Sequence, residues 1–467
     1  MAAVRWHFLG GIRTVTGSCH VLEVHGRKLL IDLGLFQGPR QAADLINRRL
    51  RFDPSEIHAA MVGHAHIDHL GNVPSLVRAG YAGPVYATHA TRDLAALMLH
   101  DSAHIQNRDA EFVNKRERRG GAEAIEPLYD HQDVDATLNL FSTQGYRRPF
   151  EPLPGVRVTF HPAGHILGSA LTHLVISTDS GPLTIGYVVD LGRRGGPILQ
   201  DPVQFQDLDV LILESTYGNR VHEVRAEAED RLARVVNETA ARGGRVIIPA
   251  FALGRTQVLV QCLAQLQDEG RVPPLPIYVD SPLAADVSAV LNAHSEEFDR
   301  ATRQSLLSGG DPLGLRHVTY VRSVEESKRL NEKTEPCIII ASSGMCEAGR
   351  VLHHLRNHIG SEKNTVAIVG YQAAGTLGHR LVERQEEVRI FGEPFQRRAR
   401  VELLNAFSAH ADQTDLATYV KHGGPHLRQV FLVHGEPEPQ EALEQLLTQA
   451  GYTGICRPDT GSVVEWN

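Results

Sequence analysis

Cysteine is scarce in this chain and forms no recognisable redox or metal-binding pattern. The 467 residues contain five cysteines, an odd number, and none of them belongs to a Cys-x-x-Cys pair. Disulfide-stabilised extracellular domains are instead rich in paired cysteines. We therefore expect reduced thiols in a cytoplasmic protein. The cysteines are Cys19, Cys262, Cys337, Cys346 and Cys456.

Long apolar segments are also absent, and so is an excess of positive charge. No stretch approaches the roughly 20 consecutive apolar residues that cross a bilayer, so we expect no membrane partner. The chain has 47 Lys and Arg against 55 Asp and Glu, a formal net charge of −8. This balance is not typical of a generic nucleic-acid binder. A polyanion would have to be held by local basic residues or by bound metal ions.

The most informative segment is His64-Ala65-His66-Ile67-Asp68-His69, which contains four metal-capable side chains. It follows a short apolar run, and a buried cluster of this kind without a metal would leave several desolvated polar groups competing for partners. Imidazoles and a carboxylate form a ligand set that suits zinc better than calcium or magnesium. The segment therefore predicts a metal site, with Asp68 and His69 able to serve a second ion.

Further metal-capable residues stand where short apolar runs end in glycine-containing turns. Such runs are typical of buried strands, and functional groups in layered α/β proteins gather at strand ends. Any one of these residues alone would be interpreted as a turn former or a satisfied polar group. Together with residues 64–69 they predict one convergent site. They are Asp32, His165, Asp190 and His434.

Chain length and the order of apolar runs predict two domains. A chain of 467 residues exceeds what one hydrophobic core usually holds. Between residues 209 and 381, apolar runs alternate with helix-like stretches, which predicts βαβ units and a second, parallel sheet. Because His434 completes the metal set beyond this region, the first domain is expected to be discontinuous. The expected boundaries are 1–208, 209–381 for the insertion, and 382–467.

These segments resemble the first four motifs of the metallo-β-lactamase superfamily. The matching segments are Ile31-Asp32-Leu33-Gly34, the stretch 64–69, Ala163-Gly164-His165 and Val189-Asp190-Leu191-Gly192. Six later segments resemble the β-CASP nuclease branch, which includes the endonuclease of the eukaryotic mRNA 3′-end cleavage complex. They are Leu213–Gly218, Pro249–Arg255, Asp280–Leu283, Ser343–Met345, Phe407–Asp412 and Val433–Glu436. The resemblance runs from about residue 8 to about residue 460.

The resemblance implies an α/β fold, a metallo-β-lactamase αββα sandwich with an inserted β-CASP domain built on a mainly parallel sheet. It also implies two Zn²⁺ ions, with Mn²⁺ able to substitute at nitrogen and oxygen ligands. Asp190 is expected to bridge the ions, and Asp32 to orient the bridging water or a ligand histidine. The implied ligands are His64, His66 and His165 for one ion and Asp68, His69 and His434 for the other.

The same resemblance implies hydrolysis of RNA phosphodiester bonds by a hydroxide that bridges the metals, leaving 5′-phosphate and 3′-hydroxyl ends. His410 is expected to protonate the leaving oxygen, with Glu214 as the carboxylate that holds the imidazolium. With Asp190 and Asp32, these residues form the predicted catalytic set.

Substrate contacts are predicted at Ser343-Gly344-Met345, which follows an apolar strand and precedes a helix-like run beginning at Ala348. A strand-to-helix turn offers free N–H groups to a phosphate. Arg255 and His379 are further candidates for contacting the strand. A basic, turn-prone patch at 115–121 is either a solvated helix end or an RNA backbone contact.

Several alternatives stay open. A DNA nuclease of the same branch typically has Val at the position of His434, so His434 favours single-stranded RNA as the partner. A small-molecule metallo-hydrolase would have no use for the inserted domain. A diiron oxidoreductase typically has Glu at the position of His66, and a non-catalytic scaffold typically loses ligands that are present here. Endonucleolytic or 5′-to-3′ exonucleolytic action and a homodimer are both left open by the sequence.

Overall fold

The computed structural model of the protein describes residues 4–38, 40–117, 124–370, 372, 375–404 and 407–467. The chain forms two compact units. Unit 1 comprises Met1–Gly196, Gln200–Val221 and His410–Asn467, and unit 2 comprises Pro197–Leu199 and His222–Ala409. Residues 118–121 of the predicted basic patch lie outside the described residues. The domain boundaries expected from the sequence stay a prediction.

The strands of both units are short. In chain order they are β1 (Val4–Gly10), β2 (Cys19–Val24), β3 (Arg27–Leu33), β4 (Ile57–Met61), β5 (Val85–Ala87), β6 (Phe141–Thr143), β7 (Pro149–Leu153), β8 (Val156–Pro162), β9 (Ala170–Thr178), β10 (Gly181–Val188), β11 (Val210–Glu214), β12 (Val246–Pro249), β13 (Ile277–Asp280), β14 (Val318–Tyr320), β15 (Ile338–Ala341), β16 (Thr365–Ile368), β17 (Glu387–Ile390), β18 (Glu393–Gln396), β19 (Arg400–Leu403), β20 (Gln429–Val433), β21 (Ile455–Cys456) and β22 (Val463–Trp466).

The helices begin at local capping signals in several cases. Asp130, Ser323 and Asp412 each form a capping box with the third helical residue. Among the described residues, no helix has both the length and the apolar character needed to cross a membrane. The helices are α1 (Arg40–Asn47), α2 (Ile67–Leu70), α3 (Val73–Arg78), α4 (His89–Glu117), α5 (His131–Leu138), α6 (Arg225–Ala241), α7 (Arg255–Asp268), α8 (Pro282–Ala293), α9 (Arg300–Leu307), α10 (Val324–Glu332), α11 (Val351–His358), α12 (Leu377–Val382), α13 (Gln413–Lys421) and α14 (Pro437–Gln449).

Unit 1 is built on two mixed sheets that share one core. Their strand orders are β22-β1-β2-β3-β4-β5-β6 and β21-β20-β11-β10-β9-β8-β7. Alternate residues of each strand point to the same face, and the inward-facing ones of both sheets form one buried cluster that includes Trp6, Phe8, Phe160 and Tyr187. The two sheets therefore pack face to face.

Helices cover the outer faces of this sandwich. Leu211 and Leu213 alternate with the core residues of β11 and belong to a second buried cluster with Leu416 of α13 and Leu443 of α14. On the other sheet, α2 contacts β3 and α4 contacts β6. Strand β11 is buried on both faces, which explains why its first four residues form a continuous apolar run.

Unit 2 is a three-layer arrangement around a parallel sheet with the strand order β14-β13-β15-β12-β16-β19. All pairs of neighbouring strands in this six-stranded sheet run parallel, and β17 and β18 form a separate antiparallel pair. One face, with Ile338 and Ile340, packs against residues of α6 and α7. The opposite face, with Ile339, packs against residues of α11 and α12. Strands buried on both faces need apolar residues at every position.

We expect Ile340→Ala to lower the stability of unit 2, because the Ile340 side chain is fully buried in the β15 layer. The loss in free energy of unfolding should be about 2–5 kcal/mol, the usual range for truncating a buried isoleucine. Chemical denaturation measures this change in the free energy of unfolding. Leu307→Ala, at a residue that is 80% exposed, is the control and should change stability by less than about 0.5 kcal/mol. Equal losses in both variants would contradict this packing.

Candidate metal centre

The segment 64–69 follows β4 and enters the short helix α2. His66 is the residue before the first turn of α2, and Asp68 and His69 lie within it. The backbone after β3 contacts this turn closely. A Cβ atom at Gly34 would lie 1.6 Å from the Asp68 carbonyl oxygen, so only glycine fits there. The Ser18 N–H also donates to that oxygen, at 2.8 Å. These contacts hold α2 against the ends of β2 and β3.

Asp32, Asp190 and His434 lie at strand ends with left-handed backbone conformations. Their φ angles are 55°, 58° and 47°, in a region that non-glycine residues seldom adopt. Such conformations cost about 1–3 kcal/mol and persist where surrounding contacts enforce them. At His434 the enforcing contact is the hydrogen bond from its N–H to the Gly11 oxygen, 2.7 Å long.

His165 lies in the turn between β8 and β9, and this turn touches the turn that carries Asp190. The Gly192 N–H donates to the Ala163 oxygen at 2.8 Å. A Cβ atom at Gly192 would lie 2.1 Å from the carbonyl of Gly164. The absence of a side chain at Gly192 therefore lets the two turns approach and brings His165 beside Asp190.

Four side chains form the first group of candidate ligands: His64, His66, His165 and Asp190, whose ligand atoms all lie within 4.8 Å of one another. The Asp190 Oδ2 atom is 3.1 Å from His64 Nε2 and 3.3 Å from His165 Nε2. His66 Nδ1 is 3.0 Å from His64 Nε2 and 3.2 Å from His165 Nε2. The four donor atoms thus surround one small volume.

Asp68, His69 and His434 form the second group. His69 Nε2 and His434 Nε2 are 3.2 Å apart, and Asp68 Oδ2 is 3.6 Å from His434 Nε2. The other carboxylate oxygen of Asp190, Oδ1, lies 3.2 Å from His434 Nδ1 and 3.5 Å from His69 Nε2. Asp190 therefore has one oxygen toward each group.

The donor set fits divalent metal ions. Imidazole nitrogens that face each other at about 3 Å need a proton or a cation between them. Within the described part of the chain, the buried Asp190 Oδ1 atom has no hydrogen-bond partner. Burial, together with the neighbouring His64, lowers the pKa of His66 to about 3, which leaves a neutral ring with a free lone pair. Neutral imidazoles and carboxylates are the nitrogen and oxygen ligands that zinc prefers.

Asp32 is placed to orient a ligand histidine rather than to join either group. Its Oδ2 atom accepts hydrogen bonds from His69 Nδ1 at 2.9 Å and from the Tyr187 hydroxyl at 2.8 Å. Its Oδ1 atom accepts from the Gly63 N–H at 2.8 Å. Burial would raise the pKa of Asp32, but His69 and these hydrogen bonds outweigh it and lower the pKa. An ionised Asp32 thereby sets the orientation of the His69 ring.

Sequence reasoning missed Tyr187 and Thr216 as partners of this centre. The Thr216 hydroxyl lies 3.3 Å from His434 Nδ1. For Tyr187 a signal existed, because it alternates with Ile185 and Val189 on the core face of the run that leads to Asp190. A tyrosine hydroxyl in such a core needs a polar partner. Thr216 carries no comparable signal.

His410 and Glu214 form a pair beside the first group. His410 Nδ1 lies 3.1 Å from Oε2 and 3.2 Å from Oε1 of Glu214, which is fully buried at the end of β11. The His410 ring is 4.5 Å from the His165 ring, centre to centre. Burial would lower the pKa of His410, but Glu214 and Asp190 outweigh it and raise the pKa to about 9. The imidazole is thus held in its protonated form.

The predicted substrate-contacting residues all belong to unit 2. The Met345 oxygen accepts from the Gly378 N–H at 3.1 Å, next to His379. The Gly344 oxygen accepts from Gln372 Nε2 at 3.0 Å, and Arg255 donates to the Val369 oxygen at 3.1 Å.

The turn at Ser343 differs from the sequence expectation. Helix α11 begins at Val351, not at Ala348. The Ser343 N–H donates to the Ala348 oxygen at 3.0 Å, and Gly349 has a φ of 81°. Residues 343–349 therefore close a turn before the helix starts, and the Ser343 N–H is already used.

Three known domain families match segments of the chain. The metallo-β-lactamase superfamily matches residues 12–211, the Beta-Casp domain 256–381, and the Zn-dependent metallo-hydrolase RNA specificity domain 395–457. A curated protein named Ribonuclease TTHA0252, from Thermus thermophilus, is 36% identical over 448 residues, which cover 95% of each chain. This chain belongs to the β-CASP family of metallo-β-lactamase proteins. The predicted family and the predicted α/β fold class are confirmed, and the chain is a metal-dependent hydrolase by family.

Two further matches are informative. A Methanocaldococcus jannaschii protein named Transcription termination factor FttA is 33% identical over 442 residues, 93% of this chain and 67% of that one. The crystal structure of a protein of unknown function from Enterococcus faecalis V583 aligns with a TM-score of 0.55 and 13% identity, covering 99% of this chain and 100% of that one. At that identity the likeness supports the fold alone.

We expect Tyr187→Phe to weaken zinc binding by this β-CASP protein about tenfold, because Asp32 loses one of the hydrogen bonds that orient it against His69. Competition with a chromogenic chelator measures the affinity. Tyr81→Phe is the control, since the Tyr81 hydroxyl donates to the Pro84 oxygen, 2.7 Å away and outside the centre. Unchanged zinc affinity in Tyr187→Phe would show that the Tyr187–Asp32 contact does not support the ligands.

Proposed function

We propose that this protein is a zinc-dependent ribonuclease that hydrolyses phosphodiester bonds of single-stranded RNA in RNA processing or decay. The observation that carries the proposal is the His410–Glu214 pair. This pair lies beside a buried cluster of histidines and aspartates in which Asp190 stands between the two groups of candidate ligands. The match to the Zn-dependent metallo-hydrolase RNA specificity domain includes His410 and His434, and the Thermus relative is named a ribonuclease. All five cysteines are free thiols, in keeping with the cytoplasmic location that we also propose.

The proposed ligand assignment follows the two groups. His64, His66 and His165 would hold one ion, Asp68, His69 and His434 would hold the other, and Asp190 would offer an oxygen to each group. When bound, two divalent cations at such a site neutralise charge on the phosphate and lower the pKa of water so that it attacks at neutral pH. Zinc fits the donors best, and Mn²⁺ is an acceptable substitute.

The protein's own residues supply positioning and a proton. Glu214 holds His410 Nδ1–H, which leaves the Nε2 proton of the imidazolium free to face the substrate. As water attacks phosphorus and the bond to the ribose 3′-oxygen breaks, His410 Nε2 donates its proton to that oxygen. The products are then a 5′-phosphate and a 3′-hydroxyl. Asp32 keeps His69 oriented throughout.

We expect His410→Ala and Asp190→Ala to impair RNA cleavage for different reasons. Loss of the proton donor should slow cleavage about 10²–10⁴-fold while zinc content stays unchanged. Loss of the shared carboxylate should remove both activity and zinc. The assay uses an end-labelled single-stranded RNA and its DNA counterpart, with zinc quantified in each protein. The control is His426→Ala, which removes an exposed histidine of unit 1.

The same assay separates the alternatives. Wild-type cleavage of DNA as readily as RNA would favour a DNA nuclease. Zinc binding without cleavage of either polymer would favour a small-molecule metallo-hydrolase. A ladder of products or discrete internal cuts distinguishes exonucleolytic from endonucleolytic action.

Ser343, Gly344, Met345, Arg255 and His379 are proposed to contact the RNA strand. His379 is the most direct test, because its side chain is partly exposed. A carboxylate oxygen of Glu383 lies 3.6 Å from its Nδ1 atom. We expect His379→Ala to raise the KM for RNA by about 2–10-fold, as for one lost hydrogen bond. Steady-state kinetics measure it, with His317→Ala in unit 2 as control. Equal KM values for the two variants would remove His379 from the proposed contact set.

A further inference from the structure

A cavity of about 510 Å³ in unit 1 lies beside the candidate metal centre without including any of the proposed ligands. Its walls include the turn after β1, the segment after β3, and residues 46–47 and 49–52. A volume of this size is within the range of pockets that bind small organic groups such as a nucleotide.

The walls of this cavity are the same backbone segments that carry the centre. Gly11, in one wall, accepts the hydrogen bond from the His434 N–H. Gly34, in another, contacts the Asp68 carbonyl, and Glu436 follows His434 by two residues. A group bound in the cavity would therefore lie next to the centre, on the side of Asp68 and His434.

The charge of the cavity is positive. Arg13, Arg49 and Arg51 line it, and Glu436 is its sole acidic lining residue within the described chain. Arg13 has an ion pair with Asp459 at 2.8 Å. Among the described residues, no carboxylate lies within ion-pair distance of Arg49 or Arg51, whereas the adjacent Arg48 pairs with Asp44. In a chain of net charge −8, two unpaired guanidinium groups at one cavity indicate an anionic ligand.

Two partly exposed aromatic rings, Phe36 and Phe52, share this cavity with the arginines. The Phe36 backbone is held by the Asn47 amide, which accepts from its N–H at 2.7 Å and donates to its oxygen at 3.0 Å. Aromatic faces beside basic groups are the usual combination for single-stranded nucleic acid, because the rings stack on bases while the cations meet phosphates.

We propose that this cavity binds one nucleotide of a single-stranded RNA that flanks the scissile bond. Arg49 and Arg51 contact its phosphate, and Phe36 and Phe52 contact its base. The inference rests on the proposed ribonuclease function and adds a subsite to it. The phosphate is either an internal one of the RNA chain or a terminal 5′-phosphate.

The test measures equilibrium binding of a fluorescently labelled single-stranded RNA by anisotropy, over a range of salt concentrations, for the full-length zinc-loaded protein. We expect the Arg49→Ala/Arg51→Ala double variant to bind about tenfold more weakly or worse, as for lost charge-assisted hydrogen bonds. Its slope of log K against log salt should fall by about 0.7 for each lost phosphate contact. Phe52→Leu should weaken binding without changing the slope.

Arg48→Ala is the matched control, because it removes the same charge from the neighbouring position outside the cavity. Zinc content and melting temperature of every variant are checked against wild type. Comparing RNA with a 5′-phosphate and RNA with a 5′-hydroxyl shows whether the cavity binds the terminal 5′-phosphate or an internal phosphate of the chain. A terminal site predicts a defect confined to the phosphorylated RNA, and an internal site predicts the same defect on both.

Unchanged affinity and salt slope in the double variant would overturn the proposal, as would an equal loss in Arg48→Ala. Cleavage of the same RNA is recorded in parallel. If wild type cleaves RNA and the double variant binds it normally, the subsite is wrong and the nuclease function stands. If RNA binding depends on the arginines and no cleavage occurs, the nuclease function is wrong and the cavity is an RNA-binding site without a scissile bond beside it.

Discussion

The Asp190 side chain is 2% exposed and lies between two sets of histidine nitrogens, and the local structure of unit 1 is organised around it. An uncompensated buried charge costs several kcal/mol, so its neighbours must be held close. Strained strand ends at Asp32, Asp190 and His434 provide this. Their cost is offset by the packing of the sandwich core, which includes the buried side chains Trp6, Phe8, Phe160 and Tyr187.

Glycine makes this arrangement sterically feasible at two positions. Gly34 lets the end of β3 touch α2, and Gly192 lets the Asp190 turn touch the His165 turn. In both cases another backbone segment occupies the place that a Cβ atom would take. Substitution of either glycine by a residue with a side chain would therefore displace a loop that carries candidate ligands. We infer that these glycines support the centre as directly as the residues that orient its ligands.

Much of the fold could be predicted because its strands are buried on both faces. Residues 338–341 are apolar throughout, and the structure places them at the middle of a parallel sheet with helices on either side. The start of α11 was predicted three residues too early. The reason is tertiary, since Glu347 accepts from the Leu377 N–H and Gly349 adopts a left-handed conformation, which together keep residues 343–349 in a turn.

The sequence by itself determined the family and the composition of the candidate centre, because residues 64–69 are close in space whatever the rest of the chain does. Local patterns also located Asp32, Asp190 and His434 at strand ends. Only the tertiary structure decided which groups meet. His410 and Glu214 are 196 residues apart, Tyr187 reaches Asp32 across the sandwich core, and the unpaired state of Arg49 and Arg51 depends on which carboxylates fold near them. Spacing along a short segment follows from chain geometry, whereas distances between segments follow from how the sheets and turns pack.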